Sequence, residues 1–238
     1  MTDASIRTEA ILLRSVDFRE ADRMLTLLTP NQGRVSAVAR AARSSRRRFA
    51  GALEPFSVVE MTLSAGRQGL YRLQEAQVIE AFPTLLGDFS RMEQAGRCLD
   101  VARSFAVENA SDPELFNETR QLLAAMDLRP TTRLALVRLC FQMRVLDLAG
   151  LGPELRHCGM CGRRPSESQP AMFDPSLGHL ICRSCGRASI VLSADARSAW
   201  QMAARRGVIA EPQLQLTEAA LAQLADALHA LLRLHIKS

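Results

Sequence analysis

The chain has 238 residues, 47% of them hydrophobic and 23% charged, which is enough apolar material for two or three modest cores. Its formal net charge of +5 favours an anionic partner, and every lysine-or-arginine position except Lys237 is arginine. A run of about eighteen apolar residues and a basic-then-apolar leader are both missing, so neither a membrane span nor a secretory signal is expected, and the cytoplasm is the expected compartment.

From residue 6 to about residue 82 the apolar stretches are short, at 10–13, 24–28, 35–39, 56–63 and 71–81. Pro30-Asn31-Gln32-Gly33 and Ala65-Gly66-Arg67-Gln68-Gly69 are turn sequences between them. Five short strands in a segment of this size predict a small closed barrel. The OB-fold, a five-stranded Greek-key barrel that binds oligonucleotides through its loops and one strand face, is the leading candidate, and an SH3-like barrel would give much the same string.

An acid-free stretch lies inside this region. Between Asp22 and Glu54 there is no carboxylate, while Arg23, Arg34, Arg40, Arg43, Arg46, Arg47 and Arg48 all occur, the last five crowded into one loop of Arg, Ser and Ala. Such a loop cannot bury itself and projects positive charge and hydroxyl donors, as a phosphate-binding arm does. The alternative is a solvated loop with no ligand, but an ordinary solvated face mixes both signs. Aromatics are sparse here: Phe18, Phe49, Phe56 and Tyr71, of which Phe56 and Tyr71 read as core rather than as stacking platforms. Backbone electrostatics should then dominate, and if about five phosphates are neutralised, log K should fall with log salt at a slope near −3.5 for a single strand.

After Pro83 the spacing turns helical, over 88–107, 113–126 and 131–149, with Ser111 or Asp112 before Pro113 as a helix start and Gly150-Leu151-Gly152-Pro153 as a stop. Cys158-Gly-Met-Cys161 and Cys182-Arg-Ser-Cys185 come next as two C-x-x-C knuckles. Four thiolates at this spacing close a tetrahedral site around one structural Zn²⁺ per chain, and four protein ligands leave no position for water or substrate. A redox dithiol would need one C-x-x-C in a βαβ setting. His157 and His179 are neighbours able to substitute as ligands. Between the knuckles, 171–173 and 179–181 flank Asp174-Pro175-Ser176-Leu177-Gly178 as a short hairpin. Cys98 and Cys140 lie in apolar helical patterns and read as plain buried thiols.

Two more helices, 193–206 and 217–235, close the chain, with Ser193 and Thr217 as N-caps. Arg205 and Arg206 end the first of them and add a second basic group, which Arg183 and Arg187 beside the second knuckle could extend. The predicted fold class is α+β: an N-terminal five-stranded OB-fold barrel (1–82) for DNA binding, then an α-helical domain (83–152) carrying a C4 zinc-finger segment (153–190), and C-terminal helices (191–238) packed on the helical domain. No P-loop, H-E-x-x-H, G-x-S-x-G or two-metal carboxylate cluster is present, so no enzyme activity is expected.

The ordered set of parts resembles the bacterial RecO recombination-mediator family along nearly the whole chain. The residues that carry the resemblance are Glu20-Ala21-Asp22-Arg23 leading into Leu27-Leu28-Thr29-Pro30, then Gly33-Arg34-Val35, Val38-Ala39-Arg40 and Phe49-Ala50-Gly51-Ala52-Leu53-Glu54-Pro55-Phe56. They continue with 141–150, Pro153-Glu154-Leu155 and the closing Lys237-Ser238. The resemblance implies binding of single- and double-stranded DNA, annealing of complementary strands, and action with RecR to load RecA onto DNA coated by single-strand-binding protein. It implies a cytoplasmic bacterial protein, nucleoid-associated when acting. It also implies a pocket for the acidic, apolar C-terminal tail of single-strand-binding protein, for which Arg138 and Arg144 are rim candidates. The candidate DNA-binding residues are Arg34, Arg40, Arg43, Arg46, Arg47, Arg48, Arg205 and Arg206. The chain departs from the family pattern at Ala41, where the family tends to have glycine, and at Gln142, where it tends to have Glu; the cysteines are not found in every member. A zinc-ribbon RNA- or ribosome-binding factor is the alternative, and a zinc enzyme a third possibility that four thiolate ligands argue against.

Overall fold

The computed structural model describes residues 5–42, 46–49, 51–66, 69–166 and 168–236. The chain divides into two compact units, Met1–Thr131 and Thr132–Ser238.

In the first unit, strand β1 (Ser5–Phe18) is long enough to serve two neighbours. Its first half lies antiparallel to β4 (Ser57–Ser64) and its second half antiparallel to β2 (Asp22–Thr29), with a bulge between Leu12 and Arg14 that bends the strand from one to the other. Strand β2 pairs with β3 (Gly33–Ala39) and β4 with β5 (Tyr71–Ala81), both antiparallel. A short parallel seam, Ala37↔Tyr71 to Ala39↔Leu73, completes the circuit β1-β2-β3-β5-β4. Burial alternates strictly along β3, with Gly33, Val35, Ala37 and Ala39 inward, the period of a strand with one buried face. Leu12, Leu25, Leu27, Met61 and Leu63 fill the interior, and helix α1 (Arg46–Phe49) drops Phe49 onto it beside Ala52 and Leu53.

Three helices come next: α2 (Pro83–Leu86), α3 (Phe89–Phe105) and α4 (Pro113–Leu128). Asp88 and Asp112 cap the last two by accepting from the Arg91 and Leu115 N–H groups at 3.2 and 3.0 Å. The guanidinium of Arg91, itself buried, donates to the Met126 and Arg129 carbonyls at 2.5 and 2.8 Å and so satisfies the otherwise orphaned end of α4. Arg120 of α4 reaches Glu80 of β5 at 2.6 Å. Gly33, at φ +57°, presses against the segment after α3: a Cβ there would collide with the Val107 and Ala110 carbonyl oxygens.

The second unit is centred on α5 (Leu134–Leu148), which buries residues all round its circumference, among them Leu136, Val137, Cys140, Phe141 and Met143. A helix apolar on every side belongs in a core. Helices α6 (Ala194–Arg206) and α7 (Glu218–His235) pack with it, and Ser193 and Thr217 cap them as expected, accepting from the Ala196 and Ala220 N–H groups, both at 3.2 Å. A 3-10 segment, Gly207–Gln213, carries the buried Glu211, whose carboxylate and backbone carbonyl both take hydrogen bonds from Arg133. The remaining residues form a four-stranded sheet of order β6-β8-β7-β9: β6 (Glu154–Cys158), β7 (Ala171–Asp174), β8 (His179–Ile181) and β9 (Ile190–Leu192). The β7/β8 pair is the hairpin predicted between the knuckles. Cys98 and Cys140 are buried thiols outside any disulfide, as predicted.

The predicted fold class needs correcting. The N-terminal strands make a five-stranded mixed sheet that closes through a parallel β3/β5 contact of three residue pairs, and the correction lies in the rest of the chain. That part is not an α-helical domain with a finger inserted. Of the helices predicted over 83–152, α2, α3 and α4 belong to the first unit and α5 to the second, and the cysteine segment is part of a four-stranded sheet. Strands β6 and β9 are invisible in the sequence because they are short and lack alternation, and β6 ends in a cysteine.

Candidate nucleic-acid interface and metal centre

At one end of the β1–β5 sheet a cavity of about 510 Å³ opens between the β1–β2 turn, the end of β3 and the β4–β5 connection. Arg19, Arg40 and Arg72 line it together with Phe18, Met24 and Tyr71. The backbone is shaped for this opening. Arg19 and Ala41 both adopt left-handed φ, +58° and +51°, and the Ala41 N–H is held by Asp22 Oδ1 at 2.9 Å. The exposed ring of Phe18 lies 5.1 Å under the Arg19 guanidinium, a cation–π contact. Tyr71 is half-buried, one part against the interior and the other on the cavity wall, so it is available as a platform where the sequence favours core. Arg48 donates to the Arg40 carbonyl at 2.8 Å and lies 4.9 Å from the Phe49 ring, beside a second cavity that Arg7 also lines.

The acid-free stretch of sequence is not acid-free in space. Arg34 donates to the Arg103 carbonyl at 2.9 Å and to Glu108 at 3.1 Å, and Arg23 meets Glu54 at 3.0 Å and Asp17 at 3.5 Å. Arg34 therefore braces β3 to the α3 end rather than facing the cavity. Arg43 lies outside the described residues, as do the side chains of Arg46 and Arg47. Arg205 and Arg206 are exposed at the end of α6, in the other unit, where Arg206 donates to Gln213 at 2.8 Å. Arg138 donates to Gln142 at 3.3 Å and Arg144 to Asp147 at 3.1 Å and the Ala204 carbonyl at 3.0 Å, so both are engaged on α5. Arg19 and Arg72 line the cavity and are absent from the candidates that sequence reasoning names. Their flanking aromatics, Phe18 and Tyr71, are the available signal.

The four predicted cysteines converge. Cys158 ends β6, Cys182 comes directly after β8, and Cys161 and Cys185 sit in the turns beyond them, with all four sulfurs within 4.8 Å of one another. A Zn–S distance near 2.3 Å in a tetrahedron requires S···S spacings of about 3.8 Å, and Cys161 and Cys182 stand at 3.7 Å. The knuckle is narrow: a side chain on Gly159 would run into the His179 ring. Hydrogen bonds from backbone N–H groups, Cys182 foremost, pull the Cys158 thiol down to about 6. Cys185 is pushed up to about 12, first by its hydrogen bond to Cys182 and then by that to Cys161. The Cys182 thiol is also lowered, first by its hydrogen bond with Cys185, so some of the thiols ionise readily and Cys185 does not, as expected for four sulfurs that need a shared cation to ionise together. The donor set fits a structural Zn²⁺. His157 contacts Glu154 and Arg164, and His179 the Leu180 carbonyl, and neither belongs to the cluster.

Comparison with known proteins accounts for both halves of the chain. The family model "Recombination protein O N terminal" matches residues 1–82, and "Recombination protein O C terminal" matches residues 86–238. The chain belongs to the RecO family. It is 38% identical over 182 residues to the DNA repair protein RecO of Anaeromyxobacter dehalogenans (strain 2CP-C), covering 76% of this chain and 70% of that protein. It is 35% identical over 181 residues to that of Myxococcus xanthus, covering 75% and 71%. RecO membership gives it a general role in DNA repair and recombination. Among the described residues no helix is long and apolar enough to cross a membrane.

Proposed function

We propose that this RecO-family chain is a non-enzymatic mediator of recombinational repair in the bacterial cytoplasm. It binds single- and double-stranded DNA, anneals complementary strands, and acts with RecR to load RecA onto DNA coated by single-strand-binding protein. The observation that carries this reading is the 510 Å³ cavity in which Arg19, Arg40 and Arg72 stand beside Phe18 and Tyr71. Cations that meet phosphates and rings that meet bases are the two elements of single-strand recognition without sequence preference. Arg48, which donates to the Arg40 carbonyl, adds to this positive charge, the sequence supplies Arg43, Arg46 and Arg47 between them, and neutralising two polyanions at once is what annealing needs. Arg205 and Arg206 are proposed as further DNA contacts, and Arg138 and Arg144 as contacts for the tail of single-strand-binding protein. Four thiolates around Zn²⁺ staple the sheet of the second unit and take no part in chemistry.

The test is strand annealing on DNA coated with single-strand-binding protein, with and without RecR, using a variant with Arg40, Arg43, Arg46, Arg47 and Arg48 replaced by alanine. Binding and annealing should fall together while the thermal transition is kept. Unchanged DNA binding in that variant moves the site elsewhere.

A further inference from the structure

The four-stranded sheet of the second unit carries a basic groove that the β1–β5 surface does not explain. Two cavities, of about 290 and 620 Å³, adjoin at Arg164 and Pro165, which line both. The first has an apolar floor that includes Met172, Ile181 and Val191, and Arg163, Arg164 and Arg183, all exposed, line it with no carboxylate among the lining residues. Arg156 continues the positive charge into the second cavity, where Asp195 is the acid in the lining. The sequence around it is lopsided in the same sense, with no acid between Asp174 and Asp195 but Arg183 and Arg187 present.

The wall of this groove is built. Arg197 of α6, itself buried, donates to the Ser166 carbonyl at 2.9 Å and the Gln169 carbonyl at 2.7 Å, fixing two residues that line the first cavity. Cys158 and Cys182 line the other side, so the metal centre supports it. A rigid apolar slot with cations strung along its length fits a chain that alternates flat apolar groups with regularly spaced negative charges. Arg156 in the second cavity extends the charge beyond Arg163, Arg164 and Arg183 in the first, a spread that suits phosphates spaced along a strand.

We propose that this groove is a second single-strand nucleic-acid site, with Arg163, Arg164 and Arg183 on phosphates and the Met172–Ile181–Val191 floor under a base. The inference rests on the reading of the first unit as a DNA-binding surface: two sites on one chain hold two strands at high effective concentration, which is what annealing rewards.

The test is a fluorescence titration at low salt with a labelled oligothymidylate of about 15 nucleotides, followed by annealing of complementary strands. Wild type should take two strands per chain. The variant R163A/R164A/R183A should take one and anneal at least about tenfold more slowly, with the salt slope of the lost site, about 2 for three phosphates, removed. R163K/R164K/R183K keeps the charge and should keep two strands, and loss equal to that of the alanine variant overturns the phosphate reading. Two strands retained by the alanine variant overturns the proposal, as does groove-dependent binding of a synthetic Asp- and Phe-containing peptide with strand stoichiometry unchanged. If R40A/R72A leaves binding intact while the groove variant loses a strand, the first-unit reading fails and this one stands. If wild type takes one strand that depends on Arg40 and Arg72, the reverse holds.

Discussion

Arg34 and Arg40 lie six positions apart in the same basic stretch, and the structure gives them opposite roles that salt titration can separate. Arg19, Arg40 and Arg72 line the cavity and Arg48 hydrogen-bonds the Arg40 carbonyl; four phosphate contacts predict a slope of log K on log salt of about −2.8 for a single strand. Replacing Arg40 and Arg72 by alanine should reduce it to about −1.4, so that raising salt from about 50 to 200 mM weakens wild type about 50-fold and the variant about 7-fold. Arg34→Ala should leave the slope unchanged and instead cost stability. Its bond to Glu108 joins a guanidinium 29% exposed to a carboxylate 63% exposed and contributes little in that setting. The 2.9 Å bond to the Arg103 carbonyl contributes more, for a total of about 2 kcal/mol and a fall in Tm of about 5 °C. Fluorescence anisotropy across a salt series and a thermal melt read the two effects independently. A slope change of about 0.7 for Arg34→Ala with an unchanged Tm, or an unchanged slope for the double variant, would refute the assignment.

Three further outcomes come from local geometry. Ala41 sits at φ +51°, a conformation costing an L-residue about 1 kcal/mol or more, so Ala41→Gly should stabilise the fold by about 0.5 kcal/mol net once the entropy of glycine is set against it, and raise Tm; a lower Tm would show that no strain is held there. For the metal centre, chelation of a protein loaded about 1,000-fold above its Kd should cost about 4 kcal/mol, and Cys182→Ser should reproduce the loss and make it insensitive to chelator. In the metal-free chain the signs of the thiol shifts make a dome. Cys158, lowered to about 6 from an ordinary 9.0, adds stability that is lost as pH falls through 6. Cys185, raised to about 12, favours the folded state only while protonated relative to the unfolded thiol below pH 9.0, and the fold loses stability as pH climbs from there towards 12. Urea denaturation against pH should peak near 9 without metal; a flat profile would mean the cluster does not hold together without its cation.

How much of this is legible in the sequence depends on whether the determining partner is near or far along the chain. Helix starts at Asp112, Ser193 and Thr217 can be read because a cap and its N–H groups lie three residues apart. Strand β3 can be read because alternation is local to it. Strand β1 shows only at 10–13, because on either side of them polar and apolar residues mix at exposed and half-buried positions and the pairing comes from β2 and β4 rather than from its own pattern. The cysteine quartet is legible for the same reason as the caps: each knuckle carries its own spacing, and the two need only meet.

Arginine is where the sequence misleads, and the reason is physical. A guanidinium offers five donors and is indifferent to whether its acceptor is a phosphate, a carboxylate or a backbone carbonyl. In this chain Arg91 satisfies the end of α4, Arg133 meets the buried Glu211, Arg197 pins a loop and Arg34 braces β3, each through acceptors more than twenty residues away in sequence. A stretch without acids therefore reports local charge, not free charge. The proposed DNA contacts are the arginines that line the cavities, and only the folded chain separates Arg40 and Arg72 from Arg23 and Arg34.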